Sequence, residues 1–289
     1  MAENPRNLWL RIASALLLLP VVLFLVAQGG GWFVALVAVA AGACAYELTT
    51  LTWEEGAPWL KWVSVLFAAL TPLVFFFSST EQLGLLGVAF APGAAVLFLT
   101  LHLLAPGPSL EAVPRRVAVS TLALLWCGAP FGLLVRLREI PGEGLWWVVM
   151  VMALTWMNDT GAYAAGMTLG RHKLYPRISP GKSWEGFVGG MLAGFGGALA
   201  VSWVSGQLEA EGLRQLELGL WPAAALAFAT GIFGPMGDLS ASLLKRAVGA
   251  KDTGNLIPGH GGVLDRVDAL LFNAVVVYLF AALALGAPL

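Results

Sequence analysis

The sequence predicts an all-α fold: a polytopic integral membrane bundle of about nine transmembrane helices, N-terminus inside and C-terminus outside. Three observations carry this prediction. The 289-residue chain is 58% hydrophobic and only 11% charged, against about 25% charged in a soluble globule, and its mean hydropathy is +0.81. Its apolar runs recur at roughly 20 residues, the length that crosses a bilayer as a helix. Backbone groups in lipid find partners only within such a helix. Finally, the basic residues are distributed unevenly among the loops.

The elements follow in order. Spans are expected at about 8–28, 31–52, 58–78, 83–104, 116–137, 144–168, 184–205, 221–244 and 264–286. Arg6 and Arg11 ahead of the first run resemble the start of a signal peptide. The run ends in "AQGGGWF", a poor cleavage site, and another span follows at once, so the first helix is expected to stay uncleaved. "TWEEGAP" and "SSTEQ" form short turns between spans two and three and spans three and four. With the N-terminus inside, 13 of the 16 Lys and Arg residues fall in inside segments, as cytoplasmic loops favour. The loops after spans six and eight hold 8 of them. Two regions follow: 1–140, with five helices, and 141–289, with four helices and the two charged loops. No fixed-period repeat is visible, and no polar stretch is long enough to build a core of its own.

Composition removes several functions. A net charge of −1 offers no basic surface for nucleic acid. Cys44 and Cys127 both lie in apolar runs and read as buried core residues rather than a disulfide or a metal-thiolate site.

Glutamates scatter along the chain, but the five aspartates do not. Asp159, Asp238, Asp252, Asp265 and Asp268 all lie in the last half, on or toward the cytoplasmic side of spans six, eight and nine. Helix capping would account for Asp252 and Asp265. It accounts poorly for Asp159, which follows "LWWVVMVMALTWMN" inside span six, because an ionisable group at that depth is costly. Span eight ends in "GIFGPMGDLSASLLKR", where Pro235 between Gly234 and Gly237 is expected to kink or break the helix. Beyond it, Asp238, Ser242 and Lys245 recur on one helical face. "GHGG", with Gly261 and Gly262, can turn successive N–H groups toward an anion, and the helix starting near Val263 adds its positive end. Asp265 and Asp268 share one face of that helix. A phosphate cradle beside hard carboxylates suits a Mg²⁺-bound nucleotide, and Lys245, Arg246, Lys251 and Arg266 would neutralise a polyphosphate.

The loop after span six holds "GRHKLYPRISPGKSWEG". "GKS" is not a P-loop, since Pro176 stands where the first glycine belongs and no strand precedes it. Ser179, Pro180, Gly181, Lys182 and Ser183 are packed into a turn just before span seven, which suits a second phosphate contact.

The 27 residues from Ser242 to Asp268, "SLLKRAVGAKDTGNLIPGHGGVLDRVD", resemble without a gap the signature of the phosphatidate cytidylyltransferase (CDP-diacylglycerol synthase) family. "NDTGAYAAG" and "SPGKSWEG" resemble it as well, as do the length and the number of spans. The first five spans carry no motif. The resemblance implies that CTP and phosphatidic acid give CDP-diacylglycerol and pyrophosphate at a multi-pass protein of the inner (plasma) membrane, with its active site facing the cytoplasm. It implies Mg²⁺, with room for a second cation, and a homodimer is a further possible state. Asp238 and Asp265 are then the expected metal ligands, assisted by Asp268. Lys245, Arg246, Lys251, His260 and Lys182 are expected on phosphates, with Lys245 serving the chemistry directly. Asn158 and Asp159 are expected on the cavity floor, and Ser179, Ser183, Ser242, Asp252, Gly261, Gly262 and Arg266 complete the expected substrate contacts. A CTP-dependent polyprenol kinase and a transporter with a broken-helix ion site are the alternatives. Against the transporter stand the missing repeats and the gathering of charge at one interface rather than the midplane.

Overall fold

The computed structural model describes residues 5–53, 57–105, 107, 109–208 and 214–284. The turn at 54–56 and the last two residues of the ninth expected span, 285 and 286, lie outside them. Helices occupy all nine expected positions: α1 (Pro5–Gln28), α2 (Gly30–Thr52), α3 (Pro58–Phe77), α4 (Thr80–Leu104), α5 (Val113–Leu122) continuing through a π-helical turn into α6 (Ala129–Arg138), α7 (Gly144–Leu169), α8 (Trp184–Gln207), α9 (Leu220–Ala247) and α10 (Leu264–Leu279), extended by a second π-helical turn. Among the described residues six helical segments are long and apolar enough to cross a membrane, and α7, which carries Asn158 and Asp159, is not one of them. The chain is a polytopic helical membrane protein. Large apolar side chains such as Trp32, Phe77, Val88, Leu103 and Trp221 point outward, as a lipid solvent permits.

The chain divides into two compact units. The first joins Met1–Val135 to Val248–Arg266, and the second joins Arg136–Ala247 to Val267–Leu289. In the first unit Ser64 donates to the Leu60 carbonyl and meets Ser120 at 2.9 Å, a polar contact between α3 and α5. Phe98, Ala94 and Leu124 form an apolar cluster closed by Val63, Phe90, Leu101 and Val117. At the polar end of α2, Lys61 donates to Thr50 at 2.7 Å and lies over the Tyr46 ring. Cys44 and Cys127 are buried, as expected.

In the second unit α7 and α8 pack through small residues. With no hydrophobic drive between helices in lipid, close backbone approach supplies the dispersion energy. A Cβ on Gly161 would lie 2.7 Å from the Gly189 carbonyl oxygen, and one on Gly190 would lie 2.8 Å from the Asn158 carbonyl oxygen. Asn273 of α10 donates to Thr155 of α7 at 2.9 Å, with both side chains buried.

Two local expectations change. The segment before span seven is not a simple turn: β1 (Lys173–Tyr175) and β2 (Ser179–Ser183) pair as an antiparallel hairpin, with Lys173 opposite Ser183 and Tyr175 opposite Ser179. Buried Ile178 sits at the bend and anchors it. Of the kink or break expected at Pro235, the break does not occur: α9 runs through it as one helix. Gly231, Gly234 and Gly237 on the same segment leave room for neighbouring side chains of Met191, Asn273 and Phe272, and that packing holds the helix despite the missing N–H.

Gly190→Val should weaken the α7–α8 contact by about 1–3 kcal/mol, read as a lower denaturation midpoint in detergent. A midpoint equal to the wild type would show that the helices do not pack at that position.

Candidate active site

The second unit contains a cavity of about 410 Å³ with polar groups from three elements. α7 supplies Asn158 and Asp159, β2 supplies Lys182, Ser183 follows at the strand end, and α9 supplies Asp238. Apolar side chains, among them Met167, Leu174 and Phe187, also line it. The hairpin explains how Lys182 arrives there: β2 carries it across, and its ammonium meets Asp238 Oδ2 at 2.7 Å and the Pro235 carbonyl at 3.4 Å. Ser242, one turn further along α9, donates to Asp238 Oδ1 at 3.3 Å, so the shared face read from the spacing is realised. Asp268 of α10 is buried, and its Oδ1 accepts from the Ala269 amide at 2.7 Å. A Cβ on Gly237 would lie 2.6 Å from the Asp268 carbonyl, so glycine sets the α9–α10 approach here. Asp238 acts as a like charge on both Asp159 and Asp268, Lys182 as an opposite charge on both, and Lys245 as an opposite charge on Asp268.

The first unit holds the signature loop. Pro258 and Gly259 form the middle of a tight turn in which the His260 amide donates to the Ile257 carbonyl at 2.9 Å. Gly259 adopts φ +77°, the left-handed geometry that a type II turn needs after proline. Gly261, at φ +84°, returns its carbonyl to the Ile257 amide. His260 Nδ1 pairs with Ser14 of α1 at 2.9 Å, and Arg266 Nε donates to the His260 carbonyl at 3.0 Å. Lys251, Asp252 and Arg266 are exposed.

The open phosphate cradle expected from "GHGG" and the start of α10 is filled from within the chain. The Gly262 amide donates to Asp265 Oδ2 at 3.2 Å, and the same oxygen accepts from the Thr253 amide at 2.8 Å. The Val263 and Leu264 amides donate to Glu47 of α2, each at 2.9 Å. The donors offered to an anion are therefore satisfied by carboxylates, the other way a helix start is commonly completed.

Comparison with known proteins follows the same residues. The cytidylyltransferase family model matches residues 9–284. The chain belongs to the cytidylyltransferase family. It is similar to a Brucella suis protein named phosphatidate cytidylyltransferase, 34% identical over 281 residues that cover 96% of this chain and 94% of the relative. A Bacillus subtilis protein of the same name is 32% identical over 275 residues, 94% of this chain and 97% of the relative.

For this cytidylyltransferase-family chain, the cavity gathers five of the expected site residues: Asn158, Asp159, Lys182, Ser183 and Asp238. Ser242 and Lys245 continue the Asp238 face, Arg246 beside them is exposed, and Ser179 begins β2. Lys251, Asp252, His260, Gly261, Gly262, Asp265 and Arg266 belong to the first unit. Among the described residues no three His, Cys, Asp or Glu side chains form a ready metal cage. Two hard carboxylates open to one cavity nonetheless fit Mg²⁺, which uses one or two carboxylates and completes its shell with water and phosphate. Glu47 was missed by the sequence reading, although a charged residue inside an apolar span is its own signal.

Ser183 caps α8, its hydroxyl accepting from the Gly186 amide at 3.1 Å. Ser183→Ala should cost about 1 kcal/mol of stability, with Ser183→Thr restoring most of it, both read by chemical denaturation in micelles. Equal stability of all three proteins would remove the cap from the fold's support.

Proposed function

We propose that this chain transfers the cytidylyl group of CTP to phosphatidic acid at the cytoplasmic face of the inner (plasma) membrane, giving CDP-diacylglycerol and pyrophosphate for phospholipid synthesis. The observation that carries the proposal is the cavity lined both by Asp159, Lys182 and Asp238 and by apolar side chains. It occurs in a helical membrane protein whose relatives named phosphatidate cytidylyltransferase align over nearly its whole length.

The reaction joins two anions. An oxygen of the phosphatidic acid phosphate forms the new bond to the α-phosphorus of CTP, and the bond from that phosphorus to the bridging oxygen breaks, releasing pyrophosphate. The attacking phosphate monoester is largely ionised at neutral pH, since its second pKa is about 6, so no side chain has to remove a proton. The protein must instead neutralise charge and align the groups. Lys182 is suited to the first task. Its pair with Asp238 is partly exposed, with side chains 24% and 39% accessible, and such a pair is held weakly enough to exchange one oxygen partner for another. Asp159 and Asp238 would hold Mg²⁺, which when bound supplies charge neutralisation at the phosphates. Ser242 fixes the Asp238 carboxylate, and Asp268 and Lys245 shape the field behind it. Lys251, Asp252, His260 and Arg266 of the signature loop serve the nucleotide, while Asp265 holds that loop. The apolar lining side chains Met167, Leu174 and Phe187 suit the glycerolipid side of the substrate.

The purified protein in detergent, given CTP labelled at the α-phosphate, phosphatidic acid and Mg²⁺, should move label into lipid and release pyrophosphate in equal amount. Release of CDP with phosphorylated lipid would instead mark a kinase. Asp238→Asn should lower kcat about 10²–10³-fold with an unchanged elution profile, and near-normal turnover would remove Asp238 from the reaction. For orientation, a cysteine replacing exposed Arg177 should react with an impermeant thiol reagent in inside-out vesicles and not in right-side-out ones; the reverse pattern would invert the topology.

A further inference from the structure

The proposed chemistry gives the first five helices no task, yet they are bound to the signature loop, by Ser14 at His260 and by Glu47 at the start of α10. Glu47 lies in α2 and is 1% exposed. Its Oε1 accepts from the Val263 amide at 2.9 Å, and its Oε2 accepts from the Leu264 amide at 2.9 Å. Thr253 Oγ stands 3.2 Å from Oε2 and 3.0 Å from Asp265 Oδ2, and its single proton serves one of them at a time. α10 begins at Leu264, so Glu47 completes two of the amides that a helix start leaves without partners. Charge strengthens those bonds, and the positive end of α10 favours a carboxylate there.

The surroundings are shaped to this carboxylate. A Cβ on Gly262 would lie 2.6 Å from Glu47 Oε2, and one on Gly254 would lie 2.9 Å from Glu47 Cγ. Glu47 and Asp265 together grip Thr253 at one end of the loop and Gly262, Val263 and Leu264 at the other. His260 lies between the two grips, Lys251 and Asp252 just before the first, and Arg266 just after the second. Meanwhile α2 meets α3 through other groups, among them Lys61 with Thr50 and Tyr46 with Trp62. Removing the Glu47 charge therefore loosens the loop before it loosens the bundle.

We propose that Glu47 is a positioning residue for cytidylyl transfer: from α2 it fixes the loop 253–264 and so sets where Lys251, Asp252, His260 and Arg266 meet the nucleotide. The proposal rests on the activity proposed above. It separates from a purely structural role because the damage falls on one substrate.

The test uses Glu47→Gln, which keeps size but turns an amide NH₂ toward backbone N–H groups. A second variant, Thr253→Val, leaves Glu47 intact and removes one donor. Both are compared with the full-length wild type in one detergent, below their melting temperatures. Amide hydrogen exchange over 251–266 is measured together with kcat and with KM for CTP and for phosphatidic acid. In Glu47→Gln, exchange should quicken in the loop and kcat/KM for CTP should fall about 10- to 100-fold, the scale of a small misplacement of reacting groups. KM for phosphatidic acid should stay within about twofold on the same argument. Thr253→Val should move the same quantities in the same direction by less. Faster loop exchange with unchanged kinetic constants would overturn the proposal, as would unchanged exchange with an equal loss for both substrates. If Glu47→Gln fails to fold, Thr253→Val decides alone, and wild-type kinetics in it despite a loosened loop overturn the proposal. A wild type that makes no CDP-diacylglycerol would fail the activity itself, and loop exchange then still decides whether Glu47 pins the segment.

Discussion

A carboxylate inside an apolar helix bundle must be given donors or a cation, because an unpaired charge is expensive in a low dielectric. That requirement organises much of this molecule. Glu47 takes two backbone amides, with the Thr253 hydroxyl in reach. Asp265 takes the Thr253 and Gly262 amides. Asp238 takes a lysine and a serine, and buried Asp268 takes the amide that follows it. Several glycines follow from the same need. Gly254 and Gly262 make room for Glu47, and Gly237 lets α9 come close to the Asp268 turn.

The two groups of acids are satisfied differently. Those of the signature loop accept from backbone amides, which cannot leave without undoing the loop. In the cavity Asp238 accepts from side chains, and its pair with Lys182 is reached by solvent. Saturated carboxylates hold a shape, while carboxylates paired with mobile side chains can change partners.

Much of this was legible in the sequence, because lipid leaves few options. Length and hydropathy placed the helices, and the spacing of Asp238, Ser242 and Lys245 predicted their common face. Asp159 was found because a charge within an apolar run stands out. Glu47 meets the same criterion and was passed over, since glutamates scatter along the chain while aspartates cluster. Its partners are distant in sequence, and no local pattern reports them. The hairpin at 173–183 was hidden for another reason: short strands with one buried apolar side chain, Ile178, leave no alternation to read. At Pro235 the rule that proline interrupts a helix lost to the packing of three glycines against neighbouring helices. At "GHGG" the bond from the Gly262 amide to Asp265 was not legible, because a row of amides looks the same in sequence whether an external anion or the chain's own acids will fill it.

The reach from Glu47 to Leu264 spans 217 positions. A ribosome making this chain delivers α2 well before the signature loop, and contacts of such long separation form only after intervening segments have been arranged. Ser14 and His260, 246 positions apart, impose the same order. The bundle can insert helix by helix as it emerges, but the loop acquires its final geometry only after the helices between it and α2 have been added. Nascent chains caught midway in the translocon thus carry helices without a set loop, and competence arrives as a late event in biogenesis.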